Sequence, residues 1–229
     1  MGTNQELIWK HFQNRATDSF EGAAPRLNYL IKRIGRLSRV ERPVVLNIGV
    51  GSGYLERQLL ARGWRPHALD PDGEALAKLA ADGVIAHTGC IEAMPLESHT
   101  FDFVVASEVL EHLSVEQRRA GLKEIARILK PGGWFLGTVP CEEDLGANQV
   151  VCPECGVVFH RWGHQKSFTR DEVAQELSPH FTHIRARRTA FVAFSRGLAG
   201  NTKSLIRLVL AKCGQHIAVP SILWQAQKP

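Results

Sequence analysis

The chain has 229 residues, 44% apolar and 22% charged, the balance of an ordinary soluble globular protein large enough to bury a sizeable core. Its formal charge of +5 is compatible with an anionic partner but too mild to demand nucleic acid. No segment approaches the roughly 20 apolar residues of a membrane span, and five unevenly spaced cysteines argue against a disulfide framework, so a cytoplasmic protein without stable membrane insertion is expected.

Taken in chain order, two helical stretches come first, near residues 3–16 and 24–38. The second places Leu27, Leu30, Ile31 and Ile34 on one face. Short apolar runs then alternate with helical segments. Val44–Ile48, His67–Leu69, Val84–Thr88, Phe101–Ala106 and Trp134–Val139 read as buried strands. Ser114 with Gln117 three residues on is a capping-box signal, and Leu122, Ile125, Ala126 and Leu129 form the apolar stripe of the helix it opens. Lys130-Pro131-Gly132-Gly133 stops that helix. A Cys/His segment, Val151–Phe168, breaks the rhythm. A helix near 169–177, a strand within 181–194, a helix at 202–212 and a strand near 217–225 complete the pattern. Strand–helix alternation implies an α/β fold with a doubly wound, mostly parallel sheet.

The strongest motif is VVLNIGVGSG, residues 44–53, where a strand ends in Gly49, Gly51 and Gly53. Glycines there let a ligand lie against the backbone, beyond the carboxyl end of the strand. Asp70 closes the next strand seventeen residues after Gly53, and such a carboxylate can accept from both hydroxyls of a ribose. The spacing is G-x-G-x-G. A dinucleotide fingerprint would need glycine at 54, where the chain has Tyr54.

Four stretches, LNIGVGSGYL, ALDPD, IEAMPLESHTFDFVVASEVLEHL and LKEIARILKPGGWFLGTVP, together resemble the class I S-adenosylmethionine-dependent methyltransferases, of the type 11, ubiquinone-biosynthesis-like kind. The resemblance implies a Rossmann-like, seven-stranded, mostly parallel sheet. It implies one methyltransferase domain over 1–229: an N-terminal helical cap (1–40), a cofactor-binding core (41–140), the Cys/His insertion (141–168) and C-terminal helices and strands (169–229). By the same resemblance Gly49, Gly51 and Gly53 wrap the methionine end of S-adenosylmethionine and Asp70 takes the ribose. Ile91 and Glu92 line the adenine pocket, and Ser107 sits near the transferable methyl. Two positions depart from the family pattern. Asn47 stands where an acid is usual, so a charge near the cofactor's ammonium is missing, and Cys90 replaces an aspartate on the adenine side.

On the acceptor side, Glu108, Glu111 and His112 fall within one helical turn, with Glu111 and His112 the candidate catalytic residues and His112 a candidate base. A weaker resemblance, to small-RNA terminal 2′-O-methyltransferases, implies instead that this run and His160 or His164 hold a divalent ion gripping ribose hydroxyls. Cys152-x2-Cys155-x4-His160-x3-His164 has the spacing of a structural zinc site, with Cys141 a substitute ligand and Arg161 and Trp162 beside the pocket. Solvated faces account for Arg185, Arg187 and Arg188 and for Lys203, Arg207 and Lys212; an anionic acceptor is the alternative. The expected activity is methyl transfer to an oxygen or nitrogen of a small hydroxylated or amino acceptor, such as a sugar or natural-product intermediate. The alternatives are metal-dependent RNA ribose methylation and a non-catalytic, cofactor-binding regulatory role.

Overall fold

Two helices lead into the first strand: α1 (Gln5–Asn14) and α2 (Ala24–Leu37). The structure, a computed structural model, describes residues 5–16, 20, 22–191 and 220–229. Leu30, Ile31 and Ile34 of α2 are buried and Leu27 packs beside them, as one helical face requires. Pro25 lies in the first turn of α2, where a missing N–H removes no helical hydrogen bond.

The alternation of strand and helix then runs β1 (Val44–Ile48), α3 (Tyr54–Leu60), β2 (Arg65–Asp70), α4 (Gly73–Ala81), β3 (Ile85–Thr88), β4 (Phe101–Ser107), α5 (Val115–Ile128) and β5 (Leu129–Pro140). A small hairpin of β6 (Gln149–Val151) and β7 (Val158–His160) follows, then α6 (Arg170–Leu177), β8 (Thr182–Thr189) and β9 (Ser221–Gln227). Seven strands form one sheet in the order β3-β2-β1-β4-β5-β9-β8. The first five pair in parallel, and β9 pairs antiparallel with both β5 and β8.

Alternate strand residues divide the core between the two faces of the sheet, as the two-residue strand period dictates. Leu46, Val104 and Phe135 pack with Leu122 and Ile125 of α5 and with Leu177 of α6. Val45, Phe103 and Leu136 pack on the other side with Leu30 and Ile34 of α2 and Leu59 of α3. Gly137 is required by the closeness of these layers. A Cβ there would stand 2.2 Å from the Ala106 carbonyl oxygen and 2.2 Å from Cζ2 of buried Trp224. The predicted capping box opens α5: Gln117 N–H donates to Ser114 Oγ at 3.2 Å, and Ser114 N–H donates to the Gln117 side chain at 3.0 Å.

The structure differs from the sequence reading in several places. β3 is an edge strand, and Ile85 is 46% exposed, because no further strand covers it. β5 begins at Leu129, ahead of Trp134. Leu129 pairs with Phe101 and Trp134 with Phe103, so the Lys130–Gly133 stretch is an irregularity within the strand, tied down by Lys130 Nζ on Asp102 at 2.7 Å. Val151–Phe168 contains the β6–β7 hairpin, outside the main sheet. The strand expected within 181–194 ends at Thr189 and the last one runs from Ser221 to Gln227. The helix expected at 202–212, with Lys203, Arg207 and Lys212, lies outside the described residues. Among the described residues no helix is long and apolar enough to cross a membrane.

Candidate active site

The strand order reverses between β1 and β4, and it is beyond the carboxyl ends of these two strands that a ligand crevice opens in such sheets. A cleft of about 570 Å³ lies there. Gly49, Gly51 and Gly53 leave β1 with φ of 78°, 51° and 73°, a left-handed path that glycine adopts without strain. The space is tight as well: a Cβ on Gly49 would meet Val109 Cγ2 at 2.9 Å, and one on Gly53 would meet Leu79 Cδ2 at 2.5 Å.

Asp70 ends β2 facing this loop. Its Oδ2 accepts from Val50 N–H at 3.0 Å and from Gln13 Nε2 at 2.9 Å, and its Oδ1 accepts from Asp72 N–H at 2.8 Å. Burial pushes its carboxyl above the ordinary aspartate value, against those N–H bonds. Asp72 caps α4 through Glu74 N–H and takes Asn14 Nδ2 at 2.6 Å. The end of α1 is thereby pinned across the mouth of the cleft, and Trp9, Phe12 and Gln13 line it. Sequence reasoning missed Gln13, since nothing near it in the chain marks a residue that meets Asp70.

Every cofactor position expected from the sequence except Gly53 lines this cleft: Asn47, Gly49, Gly51, Asp70, Ile91, Glu92 and Ser107. Gly53 sits just behind, at the start of α3. Ser107 Oγ shares hydrogen bonds with Arg26 Nε and Thr138 Oγ1, both at 2.9 Å. Glu92 accepts from Gln117 Nε2 at 3.2 Å.

At the opposite end β4 runs into a strained turn. Glu108 has φ of 57°, unusual for a residue with a side chain, and its N–H bonds the Thr138 carbonyl on β5 at 2.8 Å. The next residues form a single 3-10 turn, Leu110–His112. Glu111 is fully buried, and neither carboxylate oxygen meets a hydrogen-bond donor; Glu108 Oε1 is buried with its nearest cation, Arg26, at 3.9 Å. Burial, reinforced by Glu108, holds the Glu111 carboxyl well above the ordinary range. Burial likewise drives His112 down to about 3, so it stays neutral across the physiological range.

The chain after the hairpin is clamped onto this turn. Gln165 N–H and Lys166 N–H both donate to the Glu111 carbonyl, at 2.7 and 3.2 Å, and Gln165 Nε2 reaches the His112 carbonyl at 2.8 Å. His164 is thereby set against His112, ring centroids 4.7 Å apart. The ligand atoms of Glu111, His112 and His164 all lie within 4.8 Å of one another. Glu143, His160 and His164 form a second such group. The hydrogen bonds distinguish the two histidines. His164 Nδ1 faces Glu143 Oε2 at 2.5 Å, an N–H donating to a carboxylate, which leaves Nε2 as the lone-pair nitrogen. His160 Nδ1 instead accepts the His164 backbone N–H at 3.1 Å, so its proton resides on Nε2, 3.4 Å from Glu143 Oε1. Glu143 carries no sequence signal of its own.

The four-residue zinc set is not gathered. Cys152 and Cys155 occupy the tip of the hairpin, with Cys155 exposed. His160 pairs with Gln149 at its base, where His160 and His164 are committed to Glu143. The tip does form a tight turn, Gly156 N–H bonding the Cys152 carbonyl at 2.9 Å with Gly156 at φ of 69°. The Cys152 thiol is held below its ordinary value by the N–H groups of Cys155 and Glu154. Cys141 is buried at the end of β5, its thiol against Glu142. Arg185, Arg187 and Arg188 lie exposed on edge strand β8.

Residues 46–137 match the family model described as Methyltransferase domain. The methyltransferase YdaC of Bacillus subtilis is 35% identical over 124 residues, 51% of this chain and 67% of that protein. A ubiquinone biosynthesis O-methyltransferase of Nitrosomonas europaea is 34% identical over 122 residues, 50% of each. The chain spans about half the length of several curated relatives it matches. The fold is similar to that of a Burkholderia thailandensis 1,6-didemethyltoxoflavin-N1-methyltransferase solved with its acceptor and S-adenosylhomocysteine, with a TM-score of 0.67 at 19% identity over 98% of this chain and 86% of that one. It is equally similar to a Haloferax volcanii methyltransferase solved with the Trm112 activator, with a TM-score of 0.66 at 20% identity over 97% of both chains. Sheet order, glycine loop, Asp70 and sequence relatives agree: the chain belongs to the class I S-adenosylmethionine-dependent methyltransferases.

Proposed function

We propose that this chain transfers the methyl group of S-adenosylmethionine to an oxygen of a small hydroxylated acceptor, seated where the cleft meets Glu108, His112, Trp162 and His164. The observation that carries this reading is the continuity of the cleft, which runs from Asp70 past Gly49 and Ser107 to His112 and His164. The chain's share of the work is mainly positioning. Asp70 offers acceptors to a ribose, and Gly49 and Gly51 let the methionine end lie on the backbone. Trp9 and Trp162 line the far end. The cofactor supplies an electrophilic methyl on its sulfonium, so the remaining need is an acceptor oxygen held in line and relieved of its proton.

His112, neutral down to about pH 3, is a poor proton acceptor by itself. The buried Glu111 oxygens without donors and the imidazoles of His112 and His164 suit a divalent ion, and two of these three side chains carry supporting hydrogen bonds. His112 Nδ1 faces the Gly163 carbonyl at 3.4 Å, and His164 Nδ1 faces Glu143. An ion bound there would lower the pKa of a coordinated hydroxyl and fix its position. His160 stands behind this group, its Nε2 3.4 Å from Glu143 Oε1. This favours a hydroxyl acceptor over an amine, and the same three residues support a second reading, methylation of an RNA terminal ribose.

Turnover of methyl-labelled S-adenosylmethionine tests both readings, with sugars and polyols in one arm and RNA bearing a free 3′ ribose in the other. Label transfer to a small acceptor, lost on chelation and restored by manganese or zinc, is the expected result. Transfer to RNA alone would establish the second reading, and chelator-resistant transfer would remove the ion from the account.

A further inference from the structure

Asn47 raises a question that the rest of the cleft does not answer. The chain lacks an acid at the end of β1, beside the place where the cofactor's ammonium is expected. Glu56, on α3 immediately behind, is fully buried. Asn47 Nδ2 donates to Glu56 Oε1 at 2.7 Å and also to the Gly49 carbonyl at 3.2 Å. An amide nitrogen carries two hydrogens, and both are directed away from a ligand. The amide group is thereby locked in one orientation, and its acceptor, Oδ1, is what this side chain has to offer the cleft it lines.

Glu56 stands in the first turn of α3, where its carboxylate takes its own backbone N–H and the Asn47 amide, but these do not satisfy it. Its Oε2 is buried without a hydrogen-bond donor, a costly arrangement in a position where leucine would pack. The charged groups facing it are Asp70 from β2 and Arg57 on its own helix, and Arg57 is engaged with Asp82 at 2.7 Å and the Ser52 carbonyl at 2.8 Å. Building on the cofactor assignment above, we propose that Glu56 is a positioning residue for the ammonium of S-adenosylmethionine, acting through Asn47. The acid missing from the strand is thus supplied one layer back, with the amide presenting the acceptor and the carboxylate polarising it.

A consequence is coupling between cofactor binding and a proton. Burial raises the Glu56 carboxyl to about 7, more than Asn47 and Arg57 lower it. A cation arriving at Asn47 favours the ionised form, so binding releases a proton near pH 7 and affinity rises as pH increases through that region. A downward shift of about one pKa unit corresponds to about a tenfold gain in affinity.

The experiment is calorimetric titration with two probes. S-adenosylhomocysteine carries the ammonium, and 5′-methylthioadenosine retains the nucleoside but lacks the amino-acid end. At pH 8, Glu56→Gln is expected to weaken S-adenosylhomocysteine about tenfold while leaving 5′-methylthioadenosine within about twofold. The transposed pair Asn47→Asp with Glu56→Gln is expected to restore the difference between the probes. In the unaltered chain, titration near pH 7 in buffers of different ionisation enthalpy should show proton release with the first probe and none with the second, a readout that needs no variant to fold. Equal losses for both probes in Glu56→Gln, or no proton release, would overturn the assignment of Glu56 alone. Failure of the unaltered chain to bind either probe would overturn the cofactor assignment with it.

Discussion

Asp70→Ala is expected to weaken S-adenosylhomocysteine binding by at least about a hundredfold, the equivalent of roughly 3 kcal/mol from two charge-assisted hydrogen bonds to ribose hydroxyls. It should also lower stability. Asp70 accepts from Val50 N–H, Asp72 N–H and Gln13 Nε2, and alanine leaves those donors without their acceptor. Each donor that stays buried costs about 1–3 kcal/mol. A urea midpoint measured beside the binding constant separates the two effects. Binding to the unaltered chain should also weaken at acid pH. The raised Asp70 carboxyl protonates earlier on acidification than a free aspartate, and a protonated carboxyl loses an acceptor.

The second large effect concerns Glu111. Glu111→Gln keeps the size of the side chain and removes its charge. It is expected to reduce manganese or zinc affinity by about a hundredfold or more and to abolish methyl transfer, because a neutral amide is a far weaker ligand than a carboxylate. Stability should move in the opposite direction. In metal-free protein Glu111 is buried without a donor and its ionisation is opposed by burial and by Glu108, so the glutamine variant should melt at the same temperature or higher. Adding manganese or zinc should then raise the melting temperature of the unaltered chain and leave that of the variant unchanged. A loss of activity with an unchanged metal response would point to a role for Glu111 other than holding an ion.

Much of the fold was legible because the signals are local. The apolar runs that became β1, β4 and β5 are nearly continuous, as strands covered on both faces of a sheet require. The capping box at Ser114 needs only residues 114–117. The glycine loop was legible because its positive φ values demand glycine, and Asp70 because it ends the strand paired with β1. Contacts formed across long sequence distances were not. Gln13 meets Asp70 only because α1 folds over the cleft, and Glu143 meets His164 only through the path between β5 and the hairpin. The Cys/His spacing misled for a related reason. Four ligands within thirteen residues can converge on one ion only if they share an end of the hairpin, and here β6–β7 pairing puts the cysteines at its tip and the histidines at its base. Nothing in the local sequence marks Glu56; its burial behind Asn47 depends on α3 packing against the sheet.

The most direct measurement is calorimetric titration of the unaltered chain with S-adenosylhomocysteine at pH 8. The account predicts binding of about one molecule per chain that is retained in Glu111→Gln and weakened at least about a hundredfold in Asp70→Ala, since Asp70 lines the cleft while Glu111 is buried beside His112 at its far end. No binding at about 1 mM ligand, a free energy weaker than about −4 kcal/mol, would contradict it.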